Sequence, residues 1–436
     1  MRPTDALPHP GEWSTTTVGR SVEVTRGVSW SKEQEHSLPA PGRAPVIGIR
    51  NVQDRLDVTD ILYLSGLRPE AVEKARVSAG WTVIVGSNVN RARIGNAVLV
   101  REDSEFLFAS FLIGAKPRAG SELRPDYFFR WLSTAQVQAY LSASSEGTTG
   151  LSNLSHSFFR AMSIPVPPHD EQAAIARILD AVDMVLDSTR SAVERAREVK
   201  RSLVQRVFVE GLRRESTRRT AIGRLPKSWD VAPVGSVVTT FQYGLSVPMQ
   251  QEGALPILRM GNIQDGDVVL SDLKFVTLPP KLVDPYLLRR GDVLFNRTNS
   301  QEWVGKVGIF RRDAQAVFAS YLIRLLPDPE QVDSYYLGHV LGAYPSQCRI
   351  KRYATPGVQQ VNINATNLSR VLIPLPLGDE GLREQREIAA ILEAADAAVR
   401  SYEPVLRAQL SLKKSLVHDL LTGRARVRDL PKAAAS

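Results

Sequence analysis

The sequence predicts an α+β protein built by tandem duplication, with two mixed α/β domains separated by two long antiparallel coiled-coil helices related by pseudo-twofold symmetry. Three observations carry this expectation. The stretch DEQAAIARILDAVDMVLDSTRSAVERAREVKRSLVQRVFVEG at 170–211 returns as REQREIAAILEAADAAVRSYEPVLRAQLSLKKSLVHDLLTG, ending at Gly423. Both copies keep a 3–4 apolar rhythm, the mark of a narrow helix-on-helix seam. The segments that precede the two copies also repeat one another.

The long helices come first because they frame the rest. In the first, Ile175, Ile178, Val182, Val185, Thr189, Ala192, Ala196, Val199 and Leu203 follow the seam rhythm. In the second, Ile388, Ile391, Ala395, Ala398, Tyr402, Val405, Gln409, Leu412 and Leu416 do. The copies also match in residue type, as Glu171-Gln172 with Glu384-Gln385, Asp183 with Asp396 and Lys200 with Lys413, all at an offset of 213. Each is introduced by an extended proline phrase, Ile164-Pro165-Val166-Pro167 or Ile373-Pro374-Leu375-Pro376, after which Asp170 or Asp379 is placed to cap a helix. Pro404 falls inside the second helix, where a proline removes a hydrogen bond, so a kink or a break between two shorter helices is expected, with the kink favoured because the seam continues past it. About 40 residues at 1.5 Å each give rods of roughly 60 Å.

The preceding domains follow in order. Pro10-Gly11-Glu12-Trp13 answers Pro226-Lys227-Ser228-Trp229, Asn51-Val52-Gln53-Asp54 answers Asn262-Ile263-Gln264-Asp265, and Phe108-Ala109-Ser110-Phe111-Leu112-Ile113 answers Phe318-Ala319-Ser320-Tyr321-Leu322-Ile323. Short strands are expected at 21–25, 81–85, 97–100, 293–295 and 307–310, and helices at 127–141 and 334–341, so each domain has a sheet core with helices against it. The expected bounds are a first domain at 1–163, a helix and linker at 164–219 with the basic linker itself near 212–224, a second domain at 220–372, a second helix at 373–425, and a tail at 426–436.

The chain has 436 residues, 43% apolar and 23% charged, enough for a core in each domain. One cysteine, Cys348, and six scattered histidines leave no disulfide framework and no zinc-ligand spacing. No signal-peptide core and no run approaching roughly 18 apolar residues is present, so a cytoplasmic protein without membrane insertion is expected. A formal charge of +9 points to a polyanionic partner, although ten Lys/Arg between Arg190 and Arg219 also read as an ordinary solvated helix face. Catalytic motifs are missing. There is no Gly-x-Gly, Gly305-Lys306 lacks the rest of a P-loop, the Pro-Pro pairs at Pro167-Pro168 and Pro279-Pro280 lack the aromatic of an amino-methyltransferase motif, and the Glu198-Val199-Lys200 triplet lies on the coiled coil.

Two related domains on two related helices suggest a caliper: if each domain reads a short piece of duplex, helix length sets the gap between the pieces. The order of domain, Ile-Pro-x-Pro phrase, Glu-Gln helix, domain, Ile-Pro-x-Pro phrase and Glu-Gln helix resembles the specificity subunit of type I restriction-modification systems over nearly the whole chain. The resemblance implies two target recognition domains and two conserved-region helices, with no catalysis in this chain. It implies binding of a split double-stranded DNA sequence, two modification (adenine-N6 methyltransferase) subunits and two restriction subunits. S-adenosylmethionine, ATP and Mg would belong to those partners, with no cofactor here. The phrase Gly357-Val358-Gln359-Gln360 is similar to a recurrent family phrase and carries a DNA-contact role for Gln359 and Gln360, whereas the first domain has Gly147-Thr148-Thr149-Gly150 instead. The rival readings are a coiled-coil scaffold that binds only proteins, the specificity half of another multisubunit or fused restriction-modification enzyme, and a self-sufficient enzyme; the last would need the missing motifs.

Base edges are read by Arg and Lys on guanine and by Asn and Gln on adenine. Loops rich in these residues follow a strand at matching places in the two repeats. They supply Asn88, Asn90, Arg91 and Arg93 in the first domain and Arg297, Thr298, Asn299 and Gln301 in the second. Arg50 with Asn51, and Arg259 with Asn262, are further candidates, although an asparagine there also closes a turn. Lys306, Lys351 and Arg352 are expected to meet phosphates or solvent only.

Overall fold

The computed structural model describes residues 7–53, 55–145, 152–357 and 360–429. The chain divides into two compact units, Met1–Arg190 with Pro404–Ser436, and Ser191–Glu403. Each unit therefore holds one domain, part of one long helix and part of the other.

In the first unit an antiparallel sheet has the order Val22–Arg26, Leu112–Pro117, Thr82–Val85, Ala97–Leu99. Thr82–Val85 is wholly buried, which suits its unbroken β-branched run. A second sheet of Glu35–His36, Leu62–Ser65, Arg43–Ile47 and Leu107–Phe108 packs Val46, Ile47 and Leu64 with Val83 and Val85. In the second unit the main sheet is Val238–Tyr243, Leu322–Pro327, Val293–Asn296, Val307–Ile309, Asp267–Val268, Ile263–Gln264. Lys274–Val276, Leu255–Leu258 and Val317–Phe318 form its smaller companion.

Instead of one helix over 127–141 there are two, Pro125–Leu132 and Ala135–Ala143. Ser133 closes the first, and the Thr134 hydroxyl accepts the Val137 N–H to start the second. The second unit repeats the pair as Ser334–Gly342 and Tyr344–Lys351. Residues 212–224 are not a plain linker, since Thr217–Thr220 and Gly223–Pro226 pair as a hairpin.

The long helices run His169–Glu210 and Gly378–Leu421. They start one residue before Asp170 and Asp379, so neither aspartate is the cap and both lie in the first turn, where negative charge favours the helix dipole. The second helix passes Pro404 without a break. Within each unit the two helix segments run antiparallel. In the first, Glu171 meets Arg426 at 2.7 Å and Asp183 meets Lys413 at 2.6 Å; in the second, Glu384 accepts the Leu212 N–H at 2.9 Å and Lys200 pairs with Asp396. The repeated Asp and Lys are thus partners across the seam.

The seam differs by one residue from the expected one at every second position. Ile175 is buried as expected, but its successors are Leu179 and Leu186, then Val193, Lys200 and Val207 in the second unit, while Val185 and Val199 are 53% and 58% exposed. The second helix shifts in the same way, burying Leu392 and leaving Leu412 54% exposed. Both rhythms alternate 3 and 4. The true one takes a charged residue at Lys200 and Lys413, which hydropathy rejects and an opposite-helix aspartate accommodates.

The Glu-Gln pair of each helix explains its own repetition. Glu171 accepts the Trp13 indole N–H at 3.3 Å, and Glu384 that of Trp229 at 3.1 Å. Gln172 accepts the Arg124 N–H and donates to the Pro167 carbonyl; Gln385 does the same with Asp333 and Pro376. Tyr127 and Tyr336 donate to the Pro165 and Pro374 carbonyls inside the proline phrases. Those phrases are strands, pairing Ser14–Thr17 with Ser163–Val166 and Trp229–Pro233 with Leu372–Pro376, so each domain is closed where its helix begins. Among the described residues no helix is long and apolar enough to cross a membrane.

Candidate nucleic-acid interface

Strand register sets the loops of the two domains in correspondence. Ile113 stands opposite Ile84 and Ile323 opposite Phe295, so the residues that follow, Gly86-Ser87-Asn88 and Arg297-Thr298-Asn299, are equivalent. Each leads into a small ribbon. Ser87–Asn88 pairs with Ser152–Asn153, and Thr298–Asn299 pairs with Val361–Asn362, which also pairs with Thr355–Pro356. The polar loops singled out in the sequence therefore occupy one place in a common frame.

Within that frame the candidate residues part company. Asn51 is buried: its Nδ2 donates to the Asp57 and Asp60 carbonyls at 2.8 and 3.0 Å and its Oδ1 accepts the Gly48 N–H at 2.7 Å. Asn262 is likewise buried, bonded to the Val269 and Ser271 carbonyls and the Arg259 N–H. All their amide atoms are engaged with backbone, so they close turns. Arg93 reaches the Val52 carbonyl at 3.1 Å and braces the Asn51 turn from outside. Arg91 is tied to Ser145, bonding its hydroxyl at 3.0 Å and its carbonyl. Asn90 caps a short 3-10 turn through the Ala92 N–H, and Asn88 accepts the Asn90 N–H.

Arg50 and Arg259 pair with Asp60 and Asp272 at 2.5 and 2.9 Å. In the second domain, Arg297, Thr298 and Asn299 are half-buried along the ribbon and Gln301 is exposed just beyond it. Lys306 lies 3.5 Å from the centroid of the Trp303 ring, and burial lowers its pKa, which makes it a stacked cation rather than a free one. Lys351 donates to the Glu302 carbonyl at 2.9 Å, and Arg352 is exposed. Gln360 is exposed at the turn that its carbonyl closes with the Gly357 N–H, while Gln359, with Val358, lies outside the described residues, as do 146–151.

Sequence reasoning passed over Arg26, Asn153, His156, Tyr243 and Asn362, which the fold brings to the same ribbons. The only local signal was a glycine, Gly27 or Gly244, directly after an arginine or a tyrosine at the end of a strand.

Behind each interface the domain grips its helix through charge. Arg130 bonds Asp183 at 2.5 Å and also Asp180, which takes Arg101 at 2.8 Å. In the second unit Arg311 holds Glu393 at 2.7 and 2.5 Å and Asp267 at 3.2 Å, and His339 bonds Glu393 at 2.8 Å. Burial alone would raise the Glu393 carboxyl, but the bonds from Arg311 and His339 outweigh it and bring its pKa down to about 2. His339, Glu393 and Asp396 lie close enough together to suggest a cation site. Arg311 on Glu393 and Lys200 on Asp396 already supply the positive charge there, and the cluster reads as an ion-pair network.

A family model described as the type I restriction modification DNA specificity domain matches residues 10–195 and 226–409. The chain is 23% identical over 416 residues to the type I restriction enzyme StySPI specificity subunit of Salmonella potsdam, covering 94% of this chain and 88% of that protein. It is 24% identical over 431 residues to the EcoKI specificity subunit of Escherichia coli K12, with the same coverage. Among solved structures, the S subunit of a type I restriction-modification system from M. genitalium aligns with a TM-score of 0.60 over 96% of this chain and 99% of that one, at 16% identity.

Proposed function

Because the chain belongs to the type I restriction-modification DNA specificity family, we propose that it is the non-catalytic subunit that reads a split, asymmetric duplex target, one half per domain. In this reading 1–163 and 220–372 are the recognition domains, 164–219 and 373–425 are the helices that set the gap between the half-sites, and 426–436 is a tail. Two modification subunits and two restriction subunits dock on the chain in the cytoplasm and bring S-adenosylmethionine, ATP and Mg with them.

The observation that carries the reading is one frame used twice with different polar residues on it. The structural residues agree between the copies, as Asn51 with Asn262 and Glu171-Gln172 with Glu384-Gln385. The ribbon residues differ, as Gly86-Ser87-Asn88 against Arg297-Thr298-Asn299. Equal frames with unlike edges suit two unlike half-sites. Arg297, Thr298, Asn299, Gln301 and Gln360 are assigned to the second half-site, and Asn88 and Asn90 to the first; Gln359, outside the described residues, is assigned to the second by the family phrase alone. Lys351, Arg352 and, on release from the Trp303 ring, Lys306 are assigned to phosphates, and Arg50, on release from Asp60, to the first half-site.

The test is to map methylated adenine across the genome of cells expressing this chain with its modification subunits. One two-part motif with a constant gap is expected, and deleting about four residues from one long helix should change that gap. An unchanged gap rules out the helices as the spacer, and scattered or single-part methylation rules out the reading.

A further inference from the structure

The two domains diverge most sharply in one corner of their shared frame. Arg26 ends its strand opposite Ile113, and Tyr243 ends its strand opposite Ile323. The glycine after each lies so near the carbonyls of Phe108 or of Phe318 and Ala319 that a Cβ would come within 2.0 or 2.4 Å, which fixes the direction of the side chain before it. Across the corner stand Gly86 and Arg297. Their N–H groups donate to the Phe111 and Tyr321 carbonyls at 3.0 Å, and their carbonyls accept from Leu154 and Ile363 at 2.8 Å. Asn153 and Asn362 complete it, opposite Ser87 and Thr298.

A guanidinium therefore reaches the corner in both domains, but from opposite sides. In the first it belongs to Arg26, whose Nε donates to His156 Nε2 at 3.2 Å. The ribbon cannot supply it there, since Gly86 has no room: a Cβ would lie 2.9 Å from Ile113 Cγ1. In the second domain it belongs to Arg297, whose Cζ sits 5.1 Å from the Tyr243 ring centroid and whose Nη1 donates to the Ser320 carbonyl at 3.2 Å. Burial and the charges of Arg26 and Arg160 lower the His156 pKa, which keeps its Nε2 free to accept. Among the described residues, the Arg297 Nε and the Asn362 Oδ1 are buried with no hydrogen-bond partner. Orphaned buried groups of this kind are costly unless a ligand supplies the missing partner.

We propose that this corner is the base-reading point of each domain, with Arg26 and Asn153 in the first and Arg297 and Asn362 in the second contacting base edges, and His156 and Tyr243 as positioning residues for the guanidinium. Arginine forks suit guanine and asparagine amides suit adenine. The inference rests on the split-target reading above and names where each half is read.

The test uses the chain assembled with its modification subunits and maps the methylated motif for each variant. Arg26→Ala is expected to loosen one or two base pairs of one half of the motif by about tenfold or more, and Arg297→Ala to do so in the other half alone. Arg26→Lys and Arg297→Lys, which keep the charge and lose the fork, should loosen the same pairs. Tyr243→Phe should keep the native motif because the ring remains under the guanidinium, and Tyr243→Ala should mimic Arg297→Ala more weakly. Thermal unfolding of each variant confirms that it is folded. Methylation that falls evenly at every site with no base loosened overturns the proposal, as does loosening in both halves from one substitution. A native complex without any two-part motif overturns the functional reading and this inference with it.

Discussion

The two domains hold their helices by different chemistry at one shared position. Arg130 and His339 each lie three residues after a buried tyrosine, Tyr127 or Tyr336, whose hydroxyl is bonded into the proline phrase. In the first unit a permanent cation at that position bridges Asp180 and Asp183. In the second a histidine stands there, and the charge on Glu393 and Asp396 comes from Arg311, which follows Val307–Ile309 as Arg101, the partner of Asp180, follows Ala97–Leu99. The difference teaches that duplication preserved the acidic face of the helix and one cation beyond the neighbouring strand, Arg101 or Arg311, and left the second cation, Arg130, free to become a histidine. Carboxylates on a rigid helix need a positive partner, and the arginine beyond this strand supplies one in both units.

The largest expected effect is Arg311→Ala, which takes the two-point partner from Glu393 and one cation each from Asp267 and Asp396, leaving His339, Arg312 and Lys200 beside them. A loss of about 3–5 kcal/mol is expected in the second unit, measured by denaturant unfolding with hydrogen exchange resolved by segment. An equal loss of protection in the first unit would break the comparison. Next comes acid. Glu393 titrates near 4.5 when unfolded and at about 2 when folded, so its stabilisation is complete above pH 4.5 and is lost as pH falls toward 2. Glu393→Gln should flatten the acid limb of the second unit, a change of about 2–3 kcal/mol at neutral pH. Arg130→His should replace a permanent cation in the first unit by a titratable one, with the grip on Asp180 and Asp183 weakening by about 1–2 kcal/mol as pH rises above roughly 6.5. Smallest is Arg50→Ala, whose pair with Asp60 is more than half exposed on both sides and should change stability by less than about 0.5 kcal/mol.

How much of this was legible follows the range of the interactions. Repetition at a constant offset, the proline phrases and the Glu-Gln pairs are visible in the linear chain, and the fold uses each where it recurs. The seam was half readable. Ile175 and Ile388 belong to it, but Lys200 and Lys413 sit on it for a reason that lies on the opposite helix, so apolarity pointed to Val199 and Leu412. The hairpin at 217–226 and the split of 127–141 depend on pairing and capping too local and too polar to stand out against a basic, Ser/Thr-containing stretch or an apolar one.

The interface follows the same rule. Residue type and position after a strand located the ribbons at Asn88 and Asn299, because a turn leaving a strand is a local event. Type alone does not say whether an amide turns outward, and Asn51 and Asn262 turn inward to satisfy carbonyls six to nine residues ahead. Nor could it bring Arg26 to His156, or Tyr243 to Arg297, across 130 and 54 positions. Periodicity, repetition and residue chemistry are properties of neighbours along the chain and are written in it. Which side chain meets which across a corner depends on strand register, a property of pairs that lie far apart until the sheet forms.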